Sequence, residues 1–324
     1  MQKLKRLFIN FVLPLGIVAL LLLWLFNWQK VEDWWKLRSY TPPSEIEALA
    51  VNDTMTDEAK HLFYINHPQL INTDFAKSCP VNEQTIVLGC YRSVEAGIYL
   101  FKVEDARLKG VEEVTAAHEM LHAAYDRLSS TEKKDVNTML NDYLKQVQDK
   151  RILDTIELYK KTEPNDVIDE IHSIFGTEIS SLPPKLETYY QRYFLNRAQI
   201  VSYANNYQQE FISRINQIKA YEQQLLSIKQ KIDAERSSLS AQLSKIKSDR
   251  AELDSLRSSG QFAAYNSRVA TFNAEVDSYN NQVGQLRADI NAYNDIVNLH
   301  NQLAKELRNL YDSIDTRLAP QSLQ

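Results

Sequence analysis

Glycine and proline are scarce in this chain, at 7 and 9 among 324 residues. So few turn formers argue against a sandwich or barrel of many short strands and favour long helices. Cysteine is nearly absent, with only Cys79 and Cys90. Two thiols cannot build a multi-disulfide framework, and a separation of eleven positions rules out a C-x-x-C metal knuckle. Excess positive charge is also lacking: the net charge is −5, and no basic stripe marks a nucleic-acid surface. No nucleic-acid partner is expected.

One long uncharged run is present. Leu7 to Trp28 reads LFINFVLPLGIVALLLLWLFNW, enough for a helix to cross a bilayer. Lys3, Lys5 and Arg6 precede it, and Trp24, Trp28, Trp34 and Trp35 gather at its far end as an interfacial belt would. A cleaved signal peptide is the rival reading. Its apolar region is usually shorter, and no small-x-small site follows, since Gln29, Lys30, Val31 and Glu32 come next. An uncleaved signal anchor is expected, with the N-terminus cytoplasmic and everything after Trp35 outside the cytoplasm, although Lys30, Lys36 and Arg38 reduce the charge contrast. Cys79 and Cys90 fit an oxidising compartment as a loop-and-strand disulfide; the alternative is two buried thiols.

Residues 1–35 are therefore read as cytoplasmic stub and anchor, and 36–60, which carry Pro42 and Pro43, as a juxtamembrane linker entering a helix. Residues 61–195 form a compact domain. TIVLGCYR and GIYLFKV suggest a hairpin of two strands, and VEEVTAAHEMLHAAYDRL has helical spacing. Further helices are expected in STEKKDVNTMLNDYLKQV, capped by Ser130 or Thr131, in ILDTIELYKK, in NDVIDEIHSIF, ending at Gly176, and after Pro183 and Pro184.

From 196 to 318 the composition turns polar, with apolar residues at regular intervals. Tyr265, Val269, Phe272, Val276, Tyr279, Val283, Leu286, Ile290, Tyr293 and Val297 alternate steps of four and three, an a/d heptad seam. Ile218, Tyr221, Leu225, Ile228, Ile232 and Leu239 carry the same period, with a four-residue stutter from Leu239 to Leu243. Gly260 breaks the run, so two helices of about 60 residues could fold back as an antiparallel hairpin roughly 80–90 Å long. The alternative is one parallel oligomeric rod. Residues 319–324 are a tail.

The chemistry concentrates in HEMLH, His118 to His122. Residues four apart share a helix face, so His118 and His122 can offer two imidazoles to one zinc ion. Glu119 then lies beside a metal-activated water and can take its proton. Met120 and Leu121 are free to pack inward. The alternative is an ordinary helix carrying two histidines. No third histidine follows at the short metzincin spacing, because Tyr125 and Asp126 stand there. NDVIDEIHSIFGTEI offers Glu170 from a later helix, with Glu178 as rival third ligand and Asp126 as a further candidate or as a carboxylate orienting an imidazole.

HExxH joined by a glutamate from a later helix resembles the gluzincin group of zinc metallopeptidases, across about residues 85–195. The resemblance implies His118, His122 and Glu170 as zinc ligands and Glu119 as general base. Ser173, three positions after Glu170, is the small residue several members carry there, whereas Asp169 before it and Ile174 after it depart from the better-known patterns. His172, or one of Tyr189, Tyr190 and Tyr193, could donate a hydrogen bond to an oxyanion. His61, His67 and His300 have no partner evident in the sequence.

The expected fold is mainly α: an N-terminal transmembrane helix, a small α+β zincin-like metallopeptidase domain and a long antiparallel coiled-coil hairpin. The expected function is zinc-dependent hydrolysis of a peptide or protein substrate at a membrane, GIYLFKV serving as the edge that aligns the substrate and the coiled coil docking a protein partner. The alternative is an anchored coiled-coil interaction protein whose zinc domain is catalytically silent.

Overall fold

The computed structural model describes residues 28–79, 86–93 and 97–318. The chain is mainly helical, with one small sheet and a long helix pair. Among the described residues no helix is long and apolar enough to cross a membrane. The expected span at 7–28 lies outside them except for Trp28, and the tail 319–324 lies outside them entirely. Two compact units result, one within Met1–Gln208 and Asp312–Gln324, the other Gln209–Tyr311.

The first unit is organised around one helix. Residues 28–37 form α1, followed by α2 (Ser44–Asn52) and α3 (Asp57–Tyr64). Then come β1 (Gln69–Ile71), the short α4 (Phe75–Ser78), β2 (Gly89–Arg92) and β3 (Gly97–Phe101). The central helix α5 (Val111–Asp126) buries most of its residues, including Val114, Ala117, Met120, Leu121 and Ala124. Around it are α6 (Ser130–Leu144), α7 (Lys150–Thr162), α8 (Val167–Glu178), α9 (Pro184–Tyr190) and the first turns of α10 (Arg197–Ser258).

The segment expected as a linker, 36–60, is instead built into this core. Ile46, Leu49 and Ala50 of α2, and Ala59, Leu62 and Phe63 of α3, are buried at i, i+3, i+4 spacing and belong to the same apolar cluster as α5. The Pro-Pro start and the acidic faces of both helices hid that spacing. The core also passes residue 195, since Arg197, Ile200, Val201 and Ala204 are buried. Gly110 enters α5 at φ 102°, and a Cβ there would lie 2.8 Å from Tyr203 Cβ, so both backbone and space call for glycine.

The sheet has the order β1-β3-β2, with β1 parallel and β2 antiparallel to β3. The expected strand pair is present, and β1 was not foreseen. Its arrival puts GIYLFKV in the middle, so among the described residues β1 and β2 are the two edge strands, each with one side unpaired. Cys79, after α4, is joined to Cys90 of β2 by a disulfide. The cap of α6 is Ser129 rather than Ser130 or Thr131: its hydroxyl accepts from Glu132 N while its own N–H donates to Glu132 Oε2 at 2.9 Å, a reciprocal capping box. Helix α8 runs through Gly176 instead of stopping there, because the missing side chain admits Leu121 and Tyr190.

The second unit is an antiparallel helical hairpin built from α10 and α11 (Phe262–Ile314). Gly260 makes the turn at φ 75°. Four cross-helix ion pairs, Arg214–Glu306, Lys231–Asp289, Lys245–Glu275 and Glu252–Arg268, are disposed symmetrically about that glycine. Their spacing marks the antiparallel register. The expected seam of α11 is half-buried, apart from the more exposed Ile290. No stutter is needed in α10: Leu243 points outward and Gln242 takes the inward position, its Nε2 donating to Gln282 Oε1 at 2.6 Å. The period of four and three continues through a polar residue, which an apolar count misses.

Candidate metal centre

Helix α5 places His118, Glu119 and His122 on its side toward α8, and α8 begins with Asp169 and Glu170 in its first turn. His118 Nε2 lies 3.4 Å from Glu170 Oε2, and His122 Nε2 lies 3.5 Å from Glu170 Oε1. One donor atom from each of the three residues falls within 4.8 Å of the others, so the group could hold a metal ion. Two donors about 2.0–2.2 Å from a tetrahedral ion stand about 3.3–3.6 Å apart, which the two separations match. Glu170 Oε2 is also buried with no hydrogen-bond partner. That oxygen, 3.4 Å from the His118 imidazole, is poorly satisfied by the protein alone and well satisfied by a cation.

The surroundings assign further roles. His122 Nδ1 lies 3.0 Å from Asp169 Oδ1, leaving Nε2 to face the group. Burial disfavours the His122 cation, yet Glu170, Asp169 and Glu119 outweigh it and hold its pKa up to about 10. A metal cation would displace that proton and meet the same carboxylates. Burial raises the Glu119 carboxyl above its ordinary value, with His122 and His118 opposing. Burial also raises Glu170, but His122 and His118, with a hydrogen bond from Tyr159, bring it below the ordinary value.

The three residues line a cavity of about 440 Å³. Its walls are α5, the first turn of α8, Tyr159 of α7, and β2 with the Cys79–Cys90 disulfide. Strand β2 comes very close to α5 here. A Cβ on Gly89 would lie 2.6 Å from Thr115 Cγ2 and 2.9 Å from Glu119 Oε1. Only glycine lets the strand pass over Glu119.

The remaining candidates are placed as follows. Glu178 sits outside the three-residue group, its Oε2 accepting from Arg151 at 2.6 Å and from Gln208 at 3.0 Å. Asp126 lines the cavity but accepts from the Tyr91 hydroxyl at 3.0 Å; the carboxylate beside His122 is Asp169. His172 is fully buried away from the cavity. Its Nε2 lies 2.9 Å from the Tyr189 hydroxyl, its backbone oxygen accepts from Tyr190, and burial pushes its pKa down to about 3. Tyr190 and Tyr193 are buried with it. His61 contacts Asp33, His67 stacks on Tyr40, and in the hairpin His300 lies 3.8 Å from Glu222.

Asp169 and Tyr159 were missed. Asp169 had a signal, an Asp-Glu pair opening a helix, but neighbours on a helix point about 100° apart and only the crossing of α5 and α8 turns both toward His122. Tyr159 had none, since nothing in α7 announces that it faces Glu170. No family model, curated protein or solved structure matches the chain.

Proposed function

We propose that the chain is a membrane-anchored, zinc-dependent metallopeptidase similar in its centre to the gluzincins, its catalytic domain outside the cytoplasm. One observation carries the reading: two imidazoles each lie about 3.5 Å from an oxygen of one buried carboxylate, one of those oxygens unpartnered, with a second carboxylate, Glu119, beside them in a cavity. Two nitrogens and one oxygen suit zinc, and three protein ligands leave a position open, as catalytic rather than closed structural sites do. His118, His122 and Glu170 would hold the ion, which when bound supplies Lewis-acid polarisation and a water of lowered pKa.

The chain's own residues supply the rest. Glu119, raised above its ordinary value by burial, is placed to accept a proton and return it to a leaving amine. Tyr159 lines the same cavity as Glu170, so its hydroxyl can turn to an oxyanion; it replaces His172 in that role. Strand β2, an edge strand among the described residues, lines the cavity, so an extended peptide adding to it as a strand would lie near Glu119. The hairpin carries no such constellation and is assigned to docking a protein partner.

The deciding experiment uses the full chain in detergent, with metal analysis and peptide hydrolysis measured on the same samples. Wild type and Glu119→Gln should each retain one zinc, and only wild type should cleave. Glu170→Gln should lose zinc and Glu178→Gln should keep it. Zinc bound equally by Glu170→Gln, or cleavage by Glu119→Gln, overturns the assignment.

A further inference from the structure

The four tryptophans of the chain all lie between positions 24 and 35. On α1, residues 28, 31, 34, 35 and 38 share one face by their spacing of three and four. Trp34 is 59% and Trp35 65% exposed on that face, with Val31 about half exposed. Arg38 completes it, its guanidinium carbon 5.6 Å from each of the Trp34 and Trp35 ring centroids.

The opposite face is fastened to the metal domain. Asp33, only 7% exposed, accepts from both terminal nitrogens of Arg127, at 2.8 and 3.1 Å, and contacts His61 at 3.2 Å. The Lys36 carbonyl lies 3.0 Å from His67 Nε2, and Leu37 packs against the main core. Arg127 caps the C-terminal end of α5, five residues past His122, or about 7.5 Å along the axis at 1.5 Å per residue.

We infer that α1 lies along the membrane surface, its tryptophan face seated at the lipid headgroup boundary and its Asp33 face carrying the metal domain. This rests on the proposed membrane anchor and adds to it a second contact made by the folded domain. Two observations favour lipid over a protein partner. The face directly follows the 7–28 run, which has no charge. Tryptophan rings with an arginine over them suit the headgroup layer, where an apolar body and a cation are both satisfied. Length decides the orientation. Trp35 stands about 10 Å beyond Trp28 along the helix axis, whereas the headgroup layer is only about 5–8 Å thick. An upright helix would leave Trp35 in water, while one lying flat seats the whole face and keeps Asp33 and Leu37 upward.

The test uses the full chain carrying Trp24→Phe and Trp28→Phe, which leaves Trp34 and Trp35 as the only indoles. It is reconstituted in phosphatidylcholine vesicles brominated at either the 6,7 or the 11,12 acyl position. The expected result is blue-shifted emission, quenched at least twofold more by the shallow bromines than by the deep ones and shielded from aqueous iodide. Emission that iodide quenches as freely as an exposed indole overturns the inference, with a second copy of the chain or a protein as the remaining occupant. Stronger quenching by the deep bromines overturns it too, by placing the face in the acyl core. Flotation of the same vesicles separates the two levels: a chain that does not float sinks the anchor itself, and one that floats without shallow quenching sinks only the surface helix. Neither measurement depends on zinc or on cleavage.

Discussion

Gly176 is six residues past Glu170 on α8, at the point where that helix crosses α5. A methyl group there would stand 2.4 Å from Leu121 Cδ1 and 2.8 Å from Tyr190 Cε1. Relaxed carbon contacts are about 3.5–4.0 Å, so each is short by roughly an ångström. The Leu121 methyl can rotate, but Tyr190 is fully buried and its hydroxyl donates to the His172 carbonyl at 2.7 Å. Overpacking of this kind costs about 1–3 kcal/mol, while alanine returns about 1 kcal/mol of helix propensity. Gly176→Ala should therefore lose about 0–2 kcal/mol without metal. Relief of the clash also pushes α8 off α5, drawing Glu170 from the two histidines, so zinc affinity should fall about tenfold. Gly284→Ala is the control: nothing lies within 4 Å of a Cβ in its helix, so the same exchange should stabilise without touching zinc. Thermal unfolding of the metal-free chain and zinc competition against a chromophoric chelator measure both quantities. If Gly176→Ala behaves like Gly284→Ala, more stable and with unchanged zinc affinity, close helix contact does not set the ligand spacing.

Three further outcomes are expected. Asp169→Asn should weaken zinc about 10-fold by chelator competition, because it faces His122 Nδ1, while Asp126→Asn, bonded to Tyr91, should leave zinc content unchanged. Asp53 is fully buried with neither carboxylate oxygen partnered, and burial, then Glu113, raises its pKa well above the ordinary value. A raised acid favours the fold in its protonated form, so stability falls as pH climbs above about 4. Asp53→Asn should raise the unfolding midpoint at pH 7 by the equivalent of about 1–3 kcal/mol and flatten its pH dependence; equal slopes for both proteins would refute this. Replacing both Gln242 and Gln282 by leucine should raise the hairpin's thermal stability while letting it sample other registers, read as multiple distances between spin labels on the two arms; one retained distance would show the polar pair is not what fixes alignment.

How legible was this in the sequence? The hairpin, its turn at Gly260 and most of its seam followed from a single period, because each helix needs only its neighbour to bury one stripe. The histidine pair was legible for the same reason, since spacing on one helix is a local property. What failed was non-local. Helices α2 and α3 look polar until α5 is there to cover their three apolar residues each. Strand β1 is three residues long and has no pattern of its own. Asp169 and Tyr159 acquire their roles from the crossing of α5 with α8 and the approach of α7, distances that no spacing along one element encodes. The oxyanion role expected of His172 failed for the converse reason: its helix turns it inward among tyrosines.

Cys79 and Cys90 form part of the cavity wall, a few side chains from two imidazoles. Joined to each other, the two sulfurs have no thiolate to offer. Were they separated by reduction, the same wall would hold two soft anionic donors for which zinc has high affinity, and the position a substrate needs would be open to capture by the protein itself. On the proposed reading, an oxidising compartment would act on the chemistry of the centre as well as on the loop that the bond closes, by keeping sulfur out of the coordination sphere.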